Sequence, residues 1–268
     1  MNGMENSWII FTLDGRDFGV ETKFVQEMAI AQSASQIPNS PPYVRGVTNL
    51  RGNVFPVVDM RRLLGFKSLV EELKEQMAGF AQRKQDHIKW IAELRASVEE
   101  NREFRLTTNP HACAFGKWYD HFHASDPVLN MSLMKFDSPH KRIHKIGESV
   151  CQLVKEGHRQ EALDMIARAW DTDLHMLIDL FDQTLPMFEA TVKEIVLVAK
   201  LHGATFGAIV DAVTEVCDIH PEKIQTMDAV PMPEETRELI SGIGRTDQGL
   251  KTLLDGERLF SRLTAYAA

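Results

Sequence analysis

Histidine and glycine are segregated along this chain. Eight of the ten histidines fall between residues 67 and 192, whereas 12 of the 16 glycines lie outside that stretch. Glycine interleaved with β-branched and aromatic residues marks strands joined by tight turns. The middle stretch instead places its apolar residues at steps of three and four, the spacing of one helix face. The predicted class is therefore α+β, a β domain interrupted by a helical insertion, with joins near Phe66 and Val192. The expected parts are 1–66, 67–192 and 193–268. Neither β part alone holds many strands, and exposed strand edges are costly, so the two are expected to pair across the insertion.

The outer parts share a grammar of runs and turns. Trp8 to Leu13 and Asp17 to Val20 read as strands around an Asp14-Gly15 turn. Thr22 to Met28 reads as one short helix. Tyr43 to Leu50 and Asn53 to Val58 read as strands flanking Arg51-Gly52. After the insertion, Glu194 to Leu201 is a strand, and Phe206 to Val210 is a strand running on towards Val216. Pro231 and Pro233 mark a loop, and Ile240 to Arg245 with Leu250 to Leu254 form a closing pair.

In the middle, Leu73, Met77, Phe80, His87, Ile91, Leu94 and Val98 share one helix face. A second helix is expected to start at Ser138-Pro139, with Ser138 as N-cap and Pro139 in the first turn. A third carries Leu163, Ile166, Trp170, Leu174, Leu177, Phe181 and Leu185 on its apolar face. Three such helices with short connections predict an antiparallel bundle.

His140 and His144 lie one turn apart on one face of the second helix, so both rings can reach a single tetrahedral Zn²⁺. His87 sits on the apolar stripe of another helix, and Cys113 lies between them in Cys113-Ala-Phe115-Gly116-Lys-Trp118. Together they are a candidate His₃Cys set. His111, His121 and His123 are also nearby, so composition alone does not choose the four ligands.

The ordered set His87-x-x-Trp90, Cys113-x-Phe115-Gly116-x-Trp118 and His140-x-x-x-His144 resembles the chemoreceptor zinc-binding (CZB) domain. That resemblance implies zinc held by His87, Cys113, His140 and His144, with Trp90, Phe115 and Trp118 packed around the site. It leaves His111, His121 and His123 without a ligand role.

The outer parts resemble the chemotaxis adaptor family CheW, most clearly over Tyr43 to Gly65, then His202 to Asp211 and Gly249 to Asp255. Gly256 departs from this pattern, since an apolar residue would be typical there. The resemblance implies a pair of small five-stranded β-barrel subdomains. It also implies a non-enzymatic, cytoplasmic adaptor that links chemoreceptor tips to a CheA-type histidine kinase, with Arg51 on the partner surface. A homodimer through the bundle is compatible with it. Zinc could then be a sensor of metal or oxidant, or a structural staple.

Charge and composition narrow the alternatives. A net charge of -8 argues against a dedicated nucleic-acid binder. No apolar run approaches membrane-spanning length, no export signal is visible, and three widely spaced cysteines do not suggest a disulfide framework. A zinc hydrolase is disfavoured because Lys141, not Glu, follows His140, and because four protein ligands leave no position for water.

Overall fold

The structure, a computed structural model, describes residues 6–124, 126–201, 203–227 and 232–264. His202, which opens one of the CheW-like stretches, and Pro231, expected in a loop, lie outside these. The chain divides into two compact units. One comprises the outer segments, up to Glu71 and from Lys193; the other is Glu72–Val192.

The first β segment supplies β1 (Ser7–Leu13), β2 (Arg16–Glu21), β3 (Val25–Ile30), β4 (Val44–Leu50), β5 (Asn53–Asp59) and the short helix α1 (Met60–Leu63). The helical insertion supplies α2 (Leu69–Glu99), α3 (Ala114–Tyr119), α4 (Pro127–Met134), α5 (Asp137–Lys155), α6 (Arg159–Ala169) and α7 (His175–Ala190). The last segment supplies β6 (Ile195–Leu201), β7 (Ala204–Val210), β8 (Ala212–Asp218), β9 (Ile224–Gln225), α8 (Glu234–Arg237), β10 (Ile240–Thr246), β11 (Gly249–Leu254) and α9 (Gly256–Thr264).

Both sheets mix strands from the two β segments. Their orders are β8-β1-β2-β11-β10-β9 and β3-β6-β7-β5-β4. The expected pairing across the insertion is thus realised in both. The first sheet has six strands rather than five, because Ile224–Gln225 adds a two-residue strand against Ile243 and Gly244. So short a strand leaves no alternation to read. Strand β1 is buried on both faces. Trp8 and Ile10 pack with Ile219 and Leu253, while Ile9, Phe11 and Leu13 join Val58, Leu197 and Phe206 of the second sheet. Phe55, Val57, Val196, Val198 and Ile209 form a further core on the second sheet alone. Each sheet therefore has a small core of its own plus a share of a common one.

Several boundaries differ from the sequence reading. Thr22–Phe24 is a single 3₁₀ turn, and Val25–Ile30 is a strand paired with β6 rather than a helix. A non-local ladder there outweighs local propensity. At Asp211 the chain bends, so the run from Phe206 towards Val216 is two strands on different sheets. The reason is an ion pair: both Asp211 carboxylate oxygens accept from the buried Arg61 guanidinium, at 2.7 and 2.6 Å, and one also accepts from Asp14 N–H. Gly256 has its own reason. A Cβ there would lie 2.3 Å from the Phe24 ring, so the apolar side chain expected at this position has no room.

Within the helical unit, Phe80, Phe115, Phe136, Phe181 and Phe188 form one aromatic core. The Phe80 ring lies 4.7 Å from Phe181 and 5.1 Å from Phe188, centroid to centroid. Helix α5 starts at Asp137, one residue before the predicted cap, and Phe136 caps it with no side-chain bond; the Ser138 hydroxyl instead accepts from Arg142. The third predicted helix is interrupted by a π turn at Trp170–Leu174. The extra residue rotates Trp170 off the apolar stripe, leaving it 43% exposed, while Ile166 and Leu174 stay buried.

Candidate metal centre

Three separate segments bring four donors together. Helix α2 carries His87 on its buried face, Cys113 caps α3, and α5 presents His140 and His144 one turn apart. One ligand atom from each of the four lies within 4.8 Å of every other. Cys113 Sγ is 3.3 Å from His140 Nε2. The histidines are buried and Cys113 is half-buried.

Local structure holds each donor. Cys113 is extended at the N-cap, and its Sγ accepts from Gly116 N–H at 3.2 Å. Gly116 is required there, since a Cβ would sit 1.8 Å from the Pro110 carbonyl oxygen. His87 Nδ1 lies 2.7 Å from the Arg83 carbonyl. A carbonyl only accepts, so Nδ1 carries the proton and Nε2 keeps its lone pair, the arrangement that orients metal-binding imidazoles. Phe115 packs edge-on to His140 at 4.8 Å, and Trp90 lies 5.0 Å from His144. Trp90 is itself fixed by donating Nε1–H to Thr107 O at 2.9 Å, and Gly147 clears space for its ring. Trp118 stands one layer further out, against Phe80, Phe115 and Phe122.

Burial keeps the imidazoles neutral. His140 is pushed down to about 3 by burial, then by His87 and His144. Burial and His87 push His144 down to about 4; the Thr107 and Thr108 backbone opposes this without closing a hydrogen bond to either ring nitrogen. Burial lowers His87 too, partly offset by the Arg83 carbonyl. The Cys113 thiol is raised by burial, against the Gly116 and Phe115 N–H groups.

This donor set fits a zinc ion. Buried His87 Nε2 and both His144 ring nitrogens have no hydrogen-bond partner. Each such orphan costs about 1–3 kcal/mol, and a divalent cation with nitrogen and sulfur ligands would remove it at His87 Nε2 and at one His144 nitrogen. The other candidate histidines, His111, His121 and His123, are elsewhere. His111 is exposed and paired with Asp120 at 2.9 Å, and His121 and His123 are exposed. A pocket of about 370 Å³ opens beside the donors, lined by Cys113, His87 and His144 together with Asp86, Lys89 and Leu106.

Arg51 occupies a different setting. It and Gly52 form the two-residue turn between β4 and β5, with φ of 53° and 87°. Positive φ at both positions matches the type I′ hairpin twist. Asn49 Oδ1 accepts from Gly52 N–H, and the Arg51 side chain is 78% exposed, 3.0 Å from Glu27.

Comparison with known proteins matches the model of the CheW-like domain to residues 7–83 and 173–264, more than half of the chain. The chain belongs to the CheW-like family. The chemoreceptor zinc-binding domain matches residues 87–151, so this CheW-like chain carries a CZB domain between the two parts of its family match. Chemotaxis protein CheW of Klebsiella aerogenes is 39% identical over 54 residues, 20% of this chain and 32% of that protein. CheW of Bacillus subtilis is 36% identical over 56 residues, covering 21% and 36%. CheW of Rhizobium meliloti is 34% identical over 80 residues, covering 26% and 52%. These matches span about a third to a half of each relative. The scaffolding protein TtCheW of Thermoanaerobacter tengcongensis aligns with a TM-score of 0.43 and 14% identity, over 95% of this chain and 86% of that one. No helix among the described residues is long and apolar enough to cross a membrane.

Sequence reasoning reached the four clustered donors. It placed Gly147 on the face of His140 and His144 without a role, and it missed the Arg83 carbonyl. Gly147 had one available signal, a glycine inside a helix one turn beyond His144 and facing a tryptophan-bearing helix.

Proposed function

We propose that this CheW-like protein is a non-enzymatic cytoplasmic chemotaxis adaptor. It couples chemoreceptor tips to a CheA-type histidine kinase, and its CZB bundle binds one zinc ion through His87, Cys113, His140 and His144. The observation that carries the reading is the convergence of those four donors in a segment matching the zinc-binding family. When bound, zinc would supply a crosslink among the segments bearing His87, Cys113 and the α5 histidines.

The chain's own residues set how that crosslink behaves. Neutral imidazoles are ready to donate without losing protons, while Cys113 must give up its thiol proton. The pocket beside Cys113 favours a responsive site over a sealed staple, since it gives small molecules a route to Sγ. An oxidant that adds an oxygen atom to Sγ removes the thiolate donor, whereas imidazoles resist that chemistry. Arg51, exposed at the hairpin tip, is the proposed partner-binding residue.

The test is affinity of the zinc-loaded protein for kinase and receptor fragments, compared with chelated protein and with Arg51→Ala. Binding to at least one fragment that Arg51→Ala weakens supports the adaptor reading. No binding to either fragment rejects it. Equal affinity with and without zinc leaves the adaptor but rejects the responsive metal.

A further inference from the structure

One chain of polar contacts on the β unit joins the two ends of the insertion. At the entry, Ser68 and Glu71 form a reciprocal cap: the Ser68 hydroxyl accepts from Glu71 N–H, and Glu71 Oε2 accepts from Ser68 N–H, both at 3.1 Å. The other Glu71 oxygen pairs with the Arg62 guanidinium, which also donates to the Pro42 carbonyl at 2.8 Å. Arg62 N–H donates to Asp59 Oδ1 at 3.2 Å. Asp59 Oδ2 accepts from Arg45 at 2.9 Å. The same guanidinium grips both oxygens of Glu194 at 2.7 and 3.2 Å, immediately before β6 and at the exit of the insertion.

The middle of this chain is desolvated. The side chains of Asp59 and Glu194 are 4% and 13% exposed. Arg45 is held above its ordinary value despite burial, by Glu194 and then Asp59. Removing Arg45 leaves the buried Asp59 and Glu194 charges uncompensated, whereas the Arg62–Glu71 pair at the entry is more exposed, at 35% and 46%. Arg45 lies near the start of β4 and Asp59 at the end of β5, the base of the hairpin whose tip is Arg51-Gly52.

We propose that Arg45 is the positioning residue through which the insertion acts on the β4–β5 hairpin. Glu71 and Glu194 are the chain's handles on the two ends of the bundle. Any rearrangement that alters their separation is resisted by Arg45, Asp59 and Arg62, and the resistance is delivered to the hairpin base. A hairpin gripped at its base presents its tip in one orientation; released, it samples several. The inference rests on the metal-responsive reading above, because zinc is the ligand expected to change the bundle.

The experiment is hydrogen exchange of the full chain, zinc-loaded and chelated, for the unmodified protein, Arg45→Met and Glu194→Gln. Metal content and melting are checked for each. Chelation is expected to speed amide exchange in β4 and β5 of the unmodified protein about tenfold. In Arg45→Met, exchange there should be fast in both states, within about twofold, with zinc content unchanged. If Arg45→Met fails to fold, Glu194→Gln carries the same expectation, since it keeps the side-chain shape and removes the charge. Unchanged hairpin exchange in the unmodified, zinc-binding protein overturns this inference alone. A zinc-dependent difference that survives in a folded variant also overturns it. An unmodified protein that takes up no zinc overturns the metal reading as well.

Discussion

Cys113 Sγ rests 3.3 Å from His140 Nε2, although the two residues are 27 positions apart and sit on different helical segments. Without metal the contact is a thiol–imidazole hydrogen bond, and both atoms become metal donors once the thiol gives up its proton. Tetrahedral zinc with one sulfur and three nitrogens places neighbouring ligand atoms about 3.3–3.6 Å apart, so this pair stands within about 0.3 Å of coordination spacing. The widest pair, within 4.8 Å, closes by at most about 1.5 Å on binding.

Removing His140 is expected to abolish tight binding. His140→Ala and His144→Ala should each lower zinc affinity by at least about a hundredfold, while His111→Ala leaves it unchanged, because His111 is paired with Asp120 at the surface. Competition against a coloured chelator checks all three. Full, tight occupancy in His140→Ala would remove that residue from the ligand set.

The metal-free protein should lose stability in mild acid. His140 and His144 have folded values of about 3 and 4, below the ordinary value of about 6.5. The unfolded chain therefore binds protons first as pH falls. Stability is intact above about pH 6.5 and declines as pH drops from there towards 4. From pH 7.5 to 5.5 the loss from these two groups is of the order of 2 kcal/mol. Urea titrations of chelated protein at the two pH values measure it; a bundle equally stable at both would contradict the burial of neutral rings.

Two glycines are expected to control the site without touching metal. Gly116→Ala drives a Cβ into the Pro110 carbonyl, and Gly147→Ala drives one to 2.4 Å from the Trp90 ring that backs His144. Backbone must move in the first case and a packed indole in the second, so Gly116→Ala should be the more damaging, by roughly 2 kcal/mol or more. Both should weaken zinc binding. Thermal melting and zinc titration of the pair would show it.

Arg51 should be separable from folding. Its side chain is exposed and its backbone left-handed, a conformation glycine adopts more readily. Arg51→Gly should leave stability equal or raised by up to about 1 kcal/mol, yet weaken fragment binding as Arg51→Ala does. Denaturation midpoints beside binding curves separate the two effects. Unchanged binding in both variants would place the partner surface elsewhere.

How much of this could be read beforehand depended on the range of the interactions. His140 and His144 share a face by helix geometry, and the glycine-poor, histidine-rich middle separates from its flanks by composition, so both were legible. The strand at Val25–Ile30 was not, because its partner β6 lies beyond the insertion. The π turn at Trp170 hides inside an apolar repeat that reads continuously at 3.6 residues per turn. The chain from Glu71 to Glu194 depends on Arg45, whose partners lie 14 and 149 positions away. No local pattern marks such an arginine as different from a solvated one.

The metal environment itself is the most direct test of the central claim. X-ray absorption at the zinc edge of the purified full chain should show three nitrogen ligands at about 2.0–2.1 Å and one sulfur at about 2.3 Å, with one zinc per chain. Cys113→Ser should lose the sulfur shell. A spectrum with no sulfur, with two or more sulfurs, or a protein that binds no zinc would contradict the assignment of His87, Cys113, His140 and His144.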